Sequence, residues 1–153
     1  MTIDLRSPRL PTVLCVDDDS GVLKALERLL RAFDCKVVTT TDGGEALDIL
    51  EKEEVDVLIC DARMPVMDGI EVLRQAAMIA PATVSILLTA HASDQDVVIP
   101  AVNEGEIFRL LPKPWDDDEL RRAVADALGM EPEAWMERQR SVRSRLDGSD
   151  QAA

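Results

Sequence analysis

The sequence predicts an α/β domain: a doubly wound sheet of five parallel strands with helices on both faces. Two observations carry this expectation. Strand-like and helix-like patterns alternate five times along the chain, as parallel strands joined by helical crossovers require. Four polar landmarks also stand at the ends of apolar runs: Asp17-Asp18 after Val13 to Val16, Asp61 after Val57 to Cys60, Thr89 after Ile86 to Leu88, and Lys113 after Phe108 to Pro112. In an open parallel sheet the carboxyl ends of neighbouring strands converge on one crevice, so residues distant in sequence can meet around one small ligand.

Strands are expected near Thr12 to Val16, Lys36 to Thr40, Val55 to Cys60, Thr83 to Leu88 and Ile107 to Leu111. After Ser20, a good N-cap, Val22, Leu26, Leu29, Leu30 and Phe33 recur at helical spacing and define a first helix. A second helix begins at Asp42 with Ala46, Leu47 and Leu50 inward, and a third near Gly69 with Val72, Leu73 and Ala76. A fourth, Asp94 to Glu104, contains Pro100 past its first turn, where a proline removes a backbone hydrogen bond; it is expected to be bent or short. A fifth opens at Asp116, with Leu120, Val124 and Leu128 inward and the run Asp116 to Asp118 favouring the positive end of the helix dipole. Beyond Gly129, Pro132 to Leu146 reads as an extra C-terminal helix with a sparse apolar set and four arginines, and Gly148 to Ala153 as a frayed tail. The expected organisation is an N-terminal tail over 1–11, one domain over 12–129 and a helical extension with its tail over 130–153.

A chain of 153 residues is one domain of ordinary size. Its formal charge of −13 argues against a nucleic-acid surface, which needs clustered Lys and Arg. Cys15, Cys35 and Cys60 sit in apolar, strand-like runs rather than at metal-ligand or disulfide-framework spacing, and read as free thiols of a reducing compartment. No stretch reads as a signal peptide or a membrane span, so a cytoplasmic protein is expected.

The landmarks comprise three carboxylates, a hydroxyl and an ammonium. Clustered carboxylates repel unless a cation joins them, and hard oxygen ligands suit Mg²⁺. A phosphoryl group beside such a metal needs a hydroxyl and a cation for its remaining oxygens, which Thr89 and Lys113 supply.

From Thr12 to Leu128 the chain resembles the receiver domain of bacterial two-component response regulators. Separations of 43, 28 and 24 residues between Asp18, Asp61, Thr89 and Lys113 fit that family, and Asp61 to Gly69 follows its D-x-R-M-P-x-M-D-G pattern. The resemblance implies a flavodoxin-like receiver fold. It implies that Asp61 accepts a phosphoryl group from a sensor histidine kinase or phosphotransfer protein, and that Asp17 and Asp18 form the acidic pair holding Mg²⁺ with Asp61 and the Arg63 backbone carbonyl. Thr89 is then the switch hydroxyl, Lys113 the phosphoryl contact, and the Lys113-Pro114 bond is of the kind the family carries in cis. His91, two beyond Thr89, would border the phosphoryl site. Such a module relays a signal to a downstream protein or a second copy of itself and catalyses only its own phosphoryl transfer and dephosphorylation. In two places the chain differs from the general pattern: Leu110 stands where the family often has an aromatic residue, and Asn103 to Arg109 with Lys113-Pro114-Trp115 resembles receivers fused to HD-GYP phosphodiesterases, with no such output domain in the chain.

The rival reading is a small phosphatase similar to the haloacid-dehalogenase enzymes, with Asp17 as nucleophile and Asp19, Thr89, Lys113 and Asp116 to Asp118 following in comparable order. It expects a Gly-Thr or similar soon after its second Asp, where this chain has Ser20-Gly21, and leaves the Asp61 to Gly69 loop unexplained.

Overall fold

The structure is a computed structural model and is described here for residues 9–90 and 107–129. His91, the expected helix Asp94 to Glu104 with Pro100, the expected extension Pro132 to Leu146 and the terminal tail lie outside the described residues, as do residues 1–8.

The described elements run β1 (Thr12–Val16), α1 (Ser20–Leu30), β2 (Lys36–Thr40), α2 (Gly43–Lys52), β3 (Val57–Asp61), α3 (Gly69–Ile79), β4 (Val84–Thr89), β5 (Arg109–Pro112) and α4 (Asp117–Ala127). All strand pairs are parallel and the sheet order is β2-β1-β3-β4-β5. This is the doubly wound order in which the chain reverses its direction of travel between β1 and β3, leaving a crevice at their carboxyl ends.

Strands covered on both faces read as continuous apolar runs, and side-chain alternation assigns each residue to one of two cores. Val13 and Cys15 of β1 and Val57 and Ile59 of β3 join Leu23, Leu26, Leu30, Leu120 and Val124 beneath α1 and α4. Leu14, Val16, Leu58 and Cys60 join Ala46, Leu47, Leu50, Val72 and Leu73 beneath α2 and α3. Each fully buried Leu or Ile contributes about 1.5–3 kcal/mol relative to exposure. The first helix buries Leu26, Leu29 and Leu30 as expected, with Phe33 buried just beyond its end; the one difference is that Leu23 is buried and Val22 only half so.

Every described helix is capped by an aspartate. Asp19, Asp42, Asp68 and Asp116 adopt extended backbone and accept hydrogen bonds from the N–H groups of Gly21, Gly44, Glu71 and Glu119 at 2.8–3.0 Å, each worth about 1 kcal/mol. Ser20 is therefore the first helical residue, not the cap; the carboxylate before it reaches the free N–H groups instead. These caps stand on the same rim as the strand ends, so the site forms where helix N-termini and acidic side chains meet.

Candidate functional site

Strand β1 runs directly into Asp17, whose side chain is 1% exposed, while Asp18 turns outward. Asp17 Oδ1 accepts the Asp19 N–H at 2.9 Å, and Asp17 Oδ2 accepts Lys113 Nζ at 2.9 Å. Lys113 follows β5 directly; its N–H donates to the Thr89 carbonyl at 2.9 Å, continuing the ladder past Pro112. Its ammonium also stands 3.4 Å from Asp61 Oδ1. The peptide bond between Lys113 and Pro114 is cis, the isomer the resemblance implies.

Asp61 is the last residue of β3, buried and paired in register with Leu88. Thr89, one residue further along the neighbouring strand and likewise buried, ends β4 on the same rim. Asp17, Asp18, Asp61, Thr89 and Lys113 thus all lie at the carboxyl ends of β1, β3, β4 and β5 around the crevice. Arg63 is exposed, and its backbone N–H donates to the Asp61 carboxylate.

The electrostatics show a shortage of positive charge. Burial, then the Asp17 carboxylate, raise the Asp61 pKa against the opposing pull of Lys113 and the Arg63 N–H. Burial alone would depress the Lys113 pKa, but hydrogen bonding and attraction to Asp17 and Asp61 outweigh it and hold the ammonium above its ordinary value. Among the described residues, the cluster holds three carboxylates, of which Asp17 and Asp61 share the Lys113 ammonium. Asp17, Asp18 and Asp61 can each bring one oxygen to within 4.8 Å of the others'. An all-oxygen donor set with two uncompensated negative charges and one open side suits a divalent hard cation, so these residues fit Mg²⁺.

The loop from Asp61 to Gly69 holds features that the sequence pattern marked without giving their reason. Gly69 N–H donates to the Ala62 carbonyl at 2.9 Å, and a Cβ on Gly69 would lie 1.9 Å from the Asp61 carbonyl oxygen, so only glycine permits this approach. The Met67 N–H donates to the Pro65 carbonyl at 2.8 Å across Val66, whose φ is 73°. This bond closes a γ-turn of the rare, strained hand, carried by a β-branched residue that is fully exposed. Leu110 is half-buried and packs against the α2/α3 core. Cys60, beneath Asp61, is a free thiol that burial, then the neighbouring aspartates, keep protonated.

Residues 13–125 match the family model described as the response regulator receiver domain. Among curated proteins, the chain is 41% identical over 130 residues to the transcriptional regulatory protein GlrR of Escherichia coli (strain K12), covering 85% of this chain and 29% of that one. It is 39% identical over 129 residues to the DNA-binding transcriptional regulator NtrC of Klebsiella pneumoniae, covering 84% and 27%. The chain therefore spans less than a third of the length of these relatives. Among solved structures, the signal receiver domain of an HD domain-containing protein from Pseudomonas fluorescens Pf-5 is 40% identical, with a TM-score of 0.74 over 79% of this chain and 96% of that one. A response regulator receiver domain protein from Clostridium thermocellum is 34% identical, with a TM-score of 0.72 over 78% and 95%. None of these findings supports the phosphatase reading.

Proposed function

We propose, from the premise that this chain belongs to the response regulator receiver-domain family, that Asp61 accepts a phosphoryl group from a partner's phosphohistidine and thereby switches the domain. The observation that carries this reading is Lys113, held by Asp17 at 2.9 Å and reaching Asp61 at 3.4 Å across the strand ends.

In the transfer, an oxygen of the Asp61 carboxylate attacks phosphorus; the new P–O bond forms as the P–N bond breaks, and its electron pair stays with the departing imidazole. Lys113 neutralises one phosphoryl oxygen, and the Thr89 hydroxyl donates to another. Asp17, Asp18, Asp61 and the Arg63 carbonyl would hold Mg²⁺, which would supply charge neutralisation for the transferred group. Phosphorylation then favours one of two arrangements of the domain, which is how a local change becomes a signal. The protein so read catalyses no reaction beyond its own phosphorylation and dephosphorylation.

The partner that delivers the phosphoryl group is a sensor histidine kinase or a phosphotransfer protein. An apolar groove bordered by Gly21, Val22, Ala25, Pro114 and Trp115 opens beside Lys113 and suits the apolar side of such a donor. Downstream, the reading names a protein target or a second copy of the chain. A formal charge of −13 speaks against direct nucleic-acid contact, although some relatives are named as DNA-binding regulators. Among the described residues no helix is long and apolar enough to cross a membrane. We place the module over 12–129, with 130–153 as an extension, in the cytoplasm, where Cys15, Cys35 and Cys60 would remain the free thiols they are in the structure.

Incubation with acetyl phosphate and Mg²⁺, followed by peptide mass mapping, tests the assignment. The label is expected on Asp61 and is absent from Asp61→Asn; a label on the peptide carrying Asp17 defeats the reading. Asp18→Asn should weaken Mg²⁺ binding measured by calorimetry while leaving the circular dichroism spectrum unchanged.

A further inference from the structure

Thr40 ends β2 as a buried residue, and its main chain and side chain serve different parts of the molecule. Its carbonyl accepts the Asp17 N–H at 3.3 Å, one step past the last rung between β1 and β2, where Val16 pairs with Thr40. Its hydroxyl donates to the Glu45 carboxylate and accepts the Asp42 N–H at 3.1 Å. A buried hydroxyl needs partners, and these two satisfy it as donor and as acceptor and so fix its direction.

Both partners hold defined places on α2: Asp42 is the N-cap and Glu45 the third helical residue. In a capping box the glutamate at that place reaches back to the N-cap N–H directly. Here the Thr40 hydroxyl stands between the two groups. The cap of α2 is thereby tied to the end of β2, and through the Thr40 carbonyl to Asp17. From Asp17 the connection continues to Lys113 at 2.9 Å, and from Lys113 to Asp61 at 3.4 Å.

We propose that Thr40 and Glu45 are positioning residues for the phosphoryl site: the bond between them holds the end of β2 where the Thr40 carbonyl fixes the Asp17 main chain, and with it the carboxylate that orients Lys113. This rests on the reading of Asp61 as phosphoryl acceptor and of Asp17 as a Mg²⁺ ligand. The bond from Asp17 to Thr40 lies at the long end for an N–H donor, so a small retreat of β2 breaks it. Such a retreat is what loss of the hydroxyl allows, because the Asp42 N–H and the Glu45 carboxylate can then close on each other. Glu45 is exposed and borders an open cavity with Ser20, Lys24 and Glu27, so replacing it removes the acceptor without disturbing a core.

The experiment measures Mg²⁺ binding by calorimetry and the rate of Asp61 labelling by acetyl phosphate at saturating Mg²⁺. It uses the full chain as wild type, Thr40→Val, Thr40→Ser, Glu45→Ala, Glu45→Gln and the double variant Thr40→Val/Glu45→Ala, with Thr39→Val as the control on the adjacent residue of β2. Thr40→Val should keep the wild-type circular dichroism spectrum, since an ordinary capping box replaces the lost bonds. It should nevertheless lose Mg²⁺ affinity about five-fold and label about five-fold more slowly, the mark of a misplaced site rather than an unfolded one. Glu45→Ala should show the same two losses, and the double variant should be no worse than Thr40→Val alone, as residues acting through one bond require. Thr40→Ser and Glu45→Gln keep the hydroxyl and the acceptor and should stay within about two-fold of wild type, as should Thr39→Val. Wild-type affinity and labelling in Thr40→Val overturns the inference, as do the same values in Glu45→Ala, losses in Thr40→Ser equal to those in Thr40→Val, or additive losses in the double variant. If Thr40→Val does not fold, Glu45→Ala against Glu45→Gln decides by the same criteria. A wild-type chain that neither binds Mg²⁺ nor labels on Asp61 overturns the site reading and this inference together; a labelled wild type with unaffected variants overturns this inference alone.

Discussion

Replacing Lys113 by Met keeps an unbranched side chain of similar length and removes the ammonium that pairs with Asp17 and Asp61. The side chains it bridges, Asp17 and Asp61, are 1% and 8% exposed, and that of Lys113 itself is 18% exposed. Breaking a buried pair by deleting one partner costs about 3–5 kcal/mol, because the remaining charge stays buried without compensation. The open side at Asp18 lets water reach the cluster, so the lower end, about 3 kcal/mol, is the expectation. That is a large share of a typical stability of about 5–15 kcal/mol and corresponds to a fall in Tm on the order of 10 °C. Urea unfolding followed by circular dichroism, with chelator and with Mg²⁺, provides the assay. A cation that binds only the folded state adds about 2.7 kcal/mol at one hundred times its Kd, and the more negative mutant site should gain more than wild type. The gap between the two proteins should therefore narrow as Mg²⁺ is added, and again as pH falls and a carboxyl takes up a proton. A loss below about 1 kcal/mol, or a gap indifferent to Mg²⁺, would refute the view that Lys113 offsets buried charge.

Two further outcomes follow from the same geometry. Asp61 has its pKa raised by burial and by Asp17, so the folded state holds its proton to higher pH than the unfolded chain does; stability from this group is present below the unfolded carboxylate value and is lost as pH rises through the folded one. In chelator, Asp61→Asn should be more stable than wild type at pH 7, with the advantage shrinking as pH falls into the carboxylate range; a constant advantage across that range would mean the aspartate is not titrating there. Val66→Gly should raise the urea midpoint, because glycine adopts the 73° φ without strain; relief of about 1–3 kcal/mol of strain, less about 0.5–1 kcal/mol of glycine entropy, leaves a gain near 1 kcal/mol, and a lowered midpoint would show that the valine side chain makes a stabilising contact.

The strand and helix pattern was legible because filled sheet faces impose unbroken apolar runs and the four described helices impose periodicity. The polar strand ends were less so. Asp61 and Thr89 are the last residues of β3 and β4, not the first beyond them, because the ladder runs one step past the apolar run: the Ala62 N–H still donates to the Leu88 carbonyl at 2.8 Å. Apolarity marks where a strand is buried, whereas hydrogen bonding marks where it ends. The anchors Asp17, Asp18, Asp61, Thr89 and Lys113 were visible from spacing because one rim gathers every strand terminus. The bonds that join Glu45 to Thr40 and Thr40 to Asp17 left no such mark, since a threonine in a strand and a glutamate in a helix do not show that one hydroxyl stands between them. The strained turn at Val66 was equally hidden, because valine is among the last residues that positive φ would suggest.

The parallel register divides the molecule into two rims with different freedom to vary. Each residue of the acidic crevice stands at or just beyond the last rung of a parallel strand, and a slip of one residue would turn every side chain to the wrong layer. Chemical accuracy at the crevice is thus inherited from aliphatic packing well below it. At the far rim, where α1 returns to β2, α2 to β3 and α3 to β4, the connections carry none of these groups. Insertions or altered lengths there leave the crevice intact, so lineages can remodel one end of the domain while the other keeps its function.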